Sequence, residues 1–226
     1  MTRDNLSIRT RIQRSSTVAA VCSPWFALIA AGYLLRVAVM PLMGQHDVMF
    51  MAWQAHYLAE GHLNLYAYLH QTFGDIVVQR VPPWAPYPYG YYALTAVWQV
   101  LLDRVGLISL QGWDHIWEVA HPARSVFLFK LAYLPFDFAI GCLLLWAGGG
   151  RRGMMAWALW AWSPIALYTP FLMGQNDIYA TACMVAGLYA ATCSLKCGQT
   201  TMARVWPDRW ALLAALLLGI GSTLKI

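Results

Sequence analysis

The chain has 226 residues, 60% of them hydrophobic and only 11% charged, whereas an ordinary soluble domain carries about 25% charged residues. A soluble core of this length could not hide so much apolar surface, so composition points to an integral membrane protein. The net charge of +5 does not imply a nucleic-acid partner, because the basic residues fall in clusters between apolar stretches: Arg3, Arg9, Arg11 and Arg14, then Arg151 and Arg152, then Lys196, Arg204 and Arg209. Short basic segments beside spanning helices are the mark of cytoplasmic loops. The five cysteines, Cys22, Cys142, Cys183, Cys193 and Cys197, have no zinc-ligand spacing and read as packing residues.

In chain order, a cytoplasmic tail (1–16) precedes a first span (17–40). That apolar run exceeds the roughly 7–15 residues of a signal-peptide core, so it reads as a retained helix. A long aromatic-rich segment (41–123) follows, then further spans over 125–147, 153–172, 177–195 and 209–226, since a span needs roughly 20 apolar residues. The apolar stretch 89–102 is short for a span. If it crossed, two basic loops would face outward, against the charge rule. It therefore reads as a surface helix, with 41–123 wholly on the outer side. The expected fold is an all-α membrane protein with about five transmembrane helices and a long outer loop carrying juxtamembrane helices. The last helix ends at Lys225 and Ile226 without a polar tail, and the module reads as truncated or as completed by a second chain.

Three polar segments on the outer side are candidates for chemistry. In Gly44-Gln45-His46-Asp47, the aspartate reads either as the N-cap of a helix over 48–60, stopped by Gly61, or as a base or metal ligand at the lipid–water boundary. On that helix Trp53, His56, Tyr57 and Glu60 share a face. The run Pro82-Pro83-Trp84-Ala85-Pro86-Tyr87-Pro88-Tyr89 forces extended backbone before the surface helix. Its rings read as an interfacial anchor or as a wall for a sugar. In Met173-Gly174-Gln175-Asn176-Asp177, Gly174 permits a tight turn and Asp177 caps the next helix, yet three polar residues in succession are more than a cap requires. Asp137 lies in mid-span and needs a partner. Lys130, two turns away on the same helix, is the expected one. Arg36 is expected to snorkel outward and, with Arg124 and Lys225, to hold a lipid phosphate.

The order of His46-Asp47, Tyr87-Pro88-Tyr89-Gly90, Gly174-Gln175-Asn176-Asp177 and Ser222-Thr223-Leu224-Lys225 resembles the GT-C superfamily of membrane glycosyltransferases. Within it the chain is similar to bacterial relatives of the GPI-anchor and dolichol-pathway mannosyl- and glucosyltransferases. Tyr89 stands where that family has the second proline of Tyr-Pro-Pro, and family members run to roughly twice this length. The resemblance implies an inverting hexosyltransferase in the bacterial cell membrane. It would take a mannose-like sugar from a polyprenyl-phosphate donor to a lipid or glycan acceptor at the outer face. It implies Asp47 as base, with Asp177 orienting the acceptor or assisting Asp47. His46, Trp53, Tyr87, Tyr89, Gln175, Asn176, Arg36, Arg124 and Lys225 would bind substrate. Some members of the group use Mg²⁺ or Mn²⁺, for which Asp47 would be the ligand; others need no metal. The rival readings are a non-catalytic GT-C-fold subunit needing a partner chain and, more remotely, a transporter. The clustering of ionisable groups at one face, without a midplane path, argues against the transporter.

Overall fold

A chain this apolar must satisfy its backbone polar groups internally, and helices do so within a single segment. The computed structural model describes residues 24–43, 46–77, 88–109, 122–198 and 209–224, and at 46–47, 74–77, 122 and 196–198 it describes the backbone only. The described residues form helices and connecting turns, with no strand among them. We label the helices α1 (Pro24–Val39), α2 (His46–Ala59), α3 (Leu65–Val77), α4 (Tyr89–Arg104), α5 (Pro122–Lys130), α6 (Tyr133–Gly148), α7 (Gly150–Ala161), α8 (Pro164–Leu167), α9 (Asp177–Gly198) and α10 (Arg209–Thr223). A π-helical turn, Tyr168–Met173, follows α8.

Two stretches, Ala123–Gly148 and Asp177–Leu195, are long and apolar enough to cross a membrane. Pro24–Val39, Pro164–Met173 and Arg209–Thr223 are shorter apolar helices. The expected tail, 1–16, and the start of the first expected span lie outside the described residues.

The apolar helices pack along one another. Tyr133 and Phe136 of α6 meet Tyr179 of α9 with ring centroids 5.5 and 4.7 Å apart, and Trp146 stands 6.4 Å from Tyr189 further along the same pair. The two helices therefore run in the same direction. α10 returns antiparallel along α9, with Gly187 against Leu218 and Gly221 against Met184. α7 turns back along α6, and α1 lies beside α7, where the Trp162 indole N–H donates to the Leu28 carbonyl at 2.8 Å. Across the end of this bundle lie α2, α3 and α4. Gln99 of α4 donates to the Ala52 carbonyl of α2 at 2.6 Å, and Trp53 of α2 meets Phe73 of α3 at 5.0 Å.

The stretch expected as one helix over 153–172 is broken in two places. Pro164 has no N–H and cannot bond the carbonyl one turn back. The chain therefore leaves the helix at Trp162 and restarts at Pro164, with the Ser163 hydroxyl accepting from the Ala166 amide at 3.4 Å. Pro170 then lies inside the π-helical turn, where the ladder widens. The span expected over 125–147 is likewise interrupted by a turn at Leu131 and Ala132. Asp47 is not an N-cap: α2 begins at His46, which puts Asp47 inside its first turn. Asp177 is the first helical residue of α9, not its cap, and there a carboxylate suits the positive end of the helix dipole. The expected stop at Gly61 is present: the residue has φ 102° and the His62 amide closes back onto the Tyr57 carbonyl at 3.0 Å.

Candidate functional site

The Gly174-to-Asp177 turn and the start of α2 pack against each other. Gly174 has φ +83°, a left-handed conformation that favours glycine, and a Cβ there would lie 2.2 Å from Cγ2 of Val48. Val48 follows Asp47 directly, so the two acidic segments that sequence singled out are neighbours in space. The Asn176 side chain, almost wholly buried, ties them further. Its Oδ1 accepts from the Tyr133 hydroxyl at 2.5 Å, and its Nδ2 lies 2.8 Å from the Met51 sulfur. The Tyr133 hydroxyl also stands 3.1 Å from the Gly174 carbonyl. Gln175 is half-buried, and its amide donates to the Thr169 carbonyl at 2.8 Å. Asp177 is half-buried too.

The other two motif segments reach the same place through their described residues. Tyr91, in the first turn of α4, stands 5.8 Å from Tyr179 in the first turn of α9. A Cβ on Gly90 would lie 2.8 Å from Cδ2 of Leu224 at the end of α10. Met51, Tyr91, Tyr133, Phe171, Tyr179 and Leu224 all belong to one buried cluster. A void with room for about one water molecule lies beneath it, bordered by Met51, Thr95, Tyr133 and Tyr179. The Asp47 and His46 side chains, Tyr87 and Lys225 lie outside what the structure describes.

Lys130 is fully buried between the two acidic segments. Its ammonium donates to the carbonyls of Met40 at 3.1 Å, Phe171 at 2.9 Å and Leu172 at 2.7 Å, and to that of Met43. Its expected partner, Asp137, is instead bound to Arg36, whose Nε lies 3.0 Å from Oδ2. Both residues are fully buried, so Arg36 does not snorkel outward as expected. The reason lies in the break before Pro164. The guanidinium donates to the Ala161 carbonyl, which the break leaves without its helical donor, and to the Trp160 carbonyl at 3.0 Å, which also accepts from the Ser163 amide at 3.1 Å. The Trp160 indole N–H donates to the other Asp137 oxygen at 2.8 Å, which completes the pair.

Of the expected phosphate trio, Lys225 lies outside the described residues, and Arg36 is not available to it. Arg36 is sealed in its ion pair. Arg124 is exposed and donates to the Leu107 carbonyl at 3.0 Å. Trp53 packs among rings, 5.5 Å from Tyr57 and 5.0 Å from Phe73. The face expected to unite Trp53, His56, Tyr57 and Glu60 exists, with His56 Nε2 3.3 Å from Glu60 Oε1. Tyr89 is exposed. Its hydroxyl donates to the Leu63 carbonyl at 3.1 Å, and its ring lies 6.4 Å from Tyr66. Partial burial, with Tyr89 adding to it, raises the Tyr66 phenol above its ordinary pKa, so Tyr66 is neutral at physiological pH.

Among the described residues no three His, Cys, Asp or Glu side chains gather as metal ligands. Asp177 alone is not a divalent-cation site, which takes several oxygen ligands. An apolar groove opens between α1 and the start of α6, lined by Tyr33, Leu34, Val37, Leu134 and Phe138. Sequence reasoning missed Tyr133, Met51 and the carbonyl partners of Lys130. Only Lys130, a cation in an apolar helix, carried a signal, and that signal could not name its partners. Comparison with protein-family models, curated proteins and solved structures found no match to this chain.

Proposed function

We propose that this chain is a membrane-embedded glycosyltransferase of GT-C type. In this reading it moves a hexose from a polyprenyl-phosphate donor to an acceptor at the outer membrane face. The observation that carries it is the pairing of the motif segments, Asp47 with Asp177 through Val48 and Gly174 and the other two through Gly90 and Leu224, with residues flanking them in one buried cluster. Separate polar caps would have no reason to meet.

In this proposal Pro24–Val39, Pro164–Met173 and Arg209–Thr223 join the two longer helices as spans, giving five, with the basic clusters cytoplasmic. Asp47 takes the proton of the acceptor hydroxyl as that oxygen attacks the anomeric carbon. The phosphate leaves from the opposite side, so configuration inverts. Asp177, at the N-terminus of α9, orients the acceptor. The groove beside Tyr33 has the chemistry that a polyprenyl chain needs. Arg124 and Lys225 remain as phosphate partners, and no step is routed through a metal.

The test is sugar transfer in proteoliposomes from a panel of polyprenyl-phosphate sugars, comparing the native chain with Asp47→Asn. Loss of transfer by at least about 100-fold with the fold intact is expected of a removed general base. Transfer that survives the substitution removes Asp47 from the mechanism. A native chain inactive with every donor would favour the non-catalytic subunit.

A further inference from the structure

We propose that Lys130 is a positioning residue that sets the spacing between the Asp47 and Asp177 segments. What that spacing does rests on the glycosyltransferase reading, but the clamp itself rests on geometry alone. The four carbonyls around its ammonium come from two separate stretches of chain. Met40 and Met43 lie in the turn just past α1, on the path into α2 and Asp47. Phe171 and Leu172 lie at the end of the π-helical turn, on the path into Gly174 and Asp177.

The last carbonyls of a helix, and those in the turn just past it, have no donor within that helix. Buried without one, each is costly, and their partial negative charges repel one another. An ammonium supplies three N–H donors and a full positive charge at a single point, so these carbonyls share them and both stretches are drawn to it. The Lys130 stem acts as a spacer as well, since a Cβ on Gly174 would lie 3.0 Å from its Cε. A competing role as counter-ion to Asp137 is closed off, because Arg36 and Trp160 hold both oxygens of that carboxylate.

Reacting groups displaced by about 1 Å lose roughly 100-fold in rate, which makes the separation of the two segments a catalytic variable. The experiment uses the full chain in lipid nanodiscs, as native protein, Lys130→Gln and Lys130→Arg. Hydrogen–deuterium exchange is read at the amides of 40–43 and 171–176, with 150–160 and 182–195 as internal references. In Lys130→Gln the first two stretches are expected to exchange about tenfold faster or more while the references keep the native rate. Unchanged exchange there, or an equal rise in all four stretches, overturns the clamp.

In the transfer assay Lys130→Gln is expected to lower kcat about 100-fold with little change in donor KM. Lys130→Arg keeps the charge and the donors on a larger head group. It is expected to keep native exchange with kcat about tenfold down, and it carries the test if Lys130→Gln does not fold. Native kcat in either folded variant overturns the positioning role. Loosened segments in a chain whose native form transfers no sugar leave the clamp standing and overturn the glycosyltransferase reading alone.

Discussion

Arg36 and Lys130 are both fully buried cations in apolar helices, yet the structure neutralises them in different ways. Arg36 meets a carboxylate, Asp137, and covers the Ala161 carbonyl exposed by the break before Pro164. Lys130 meets carbonyl oxygens and draws together the turn after α1 and the end of the π-helical turn. In both cases a side chain supplies N–H donors that the helix could not. The difference lies in what each holds. The Arg36 pair binds α1, α6 and α7 to one another deep in the bundle, and Lys130 binds the loops at its end. Changes at the first site should therefore act on global stability, and changes at the second on local order at the candidate site.

The sharpest way to break this comparison is Asp137→Ala, which leaves the Arg36 charge buried without its counter-ion. Loss of about 3–5 kcal/mol is expected in denaturant or thermal unfolding in detergent. The double change Arg36→Met with Asp137→Leu should recover most of that loss, because apolar replacements of similar size remove both desolvated charges. A double variant as unstable as the single one would mean that the Ala161 carbonyl, more than the ion pair, needs Arg36.

Next in size is Gly174→Ala, which meets both a left-handed backbone and Val48. A cost of about 2–3 kcal/mol is expected. Val48→Ala in the same chain should relieve the steric part and leave about 1 kcal/mol of backbone strain. If Val48→Ala relieves nothing, the contact between the two acidic segments is not what constrains the turn. Arg124→Ala should be the mildest. This exposed side chain donates a hydrogen bond to a loop carbonyl, and its loss should shift stability by less than about 0.5 kcal/mol. A larger shift would place Arg124 with the buried cations.

The apolar helices were legible from hydropathy, and α4 was readable as a separate short helix from its length and the charge rule; the structure adds that Tyr91, Tyr92, Thr95, Ala96, Gln99 and Leu102 are buried on it. Helix α3 was not separated from the long segment around it, although the buried Leu65 and Leu69 recur at one-turn spacing. The break at Pro164 and the π-helical turn around Pro170 had a visible signal in the prolines. An unbroken hydropathy profile hid them, because apolar content measures what a segment can bury and not whether its ladder is continuous. At the site, the neighbourhood of the Asp47 and Asp177 segments was expected only as a shared membrane face. Their direct contact came from tertiary packing.

What the sequence determined by itself was the solvent each residue prefers: apolar stretches that must be helical, and a few polar interruptions in a fixed order along the chain. It did not determine partners. Lys130 was the natural candidate for Asp137, since the two are close in sequence on what read as one helix. The structure gives Asp137 to Arg36 on another helix and leaves Lys130 to backbone carbonyls. Sequence distance does not order these choices, because helix rotation and crossing decide which side chains reach each other. A break such as that before Pro164 also creates acceptors, and a string of residue types does not display them. Pairing was therefore settled only when the helices packed.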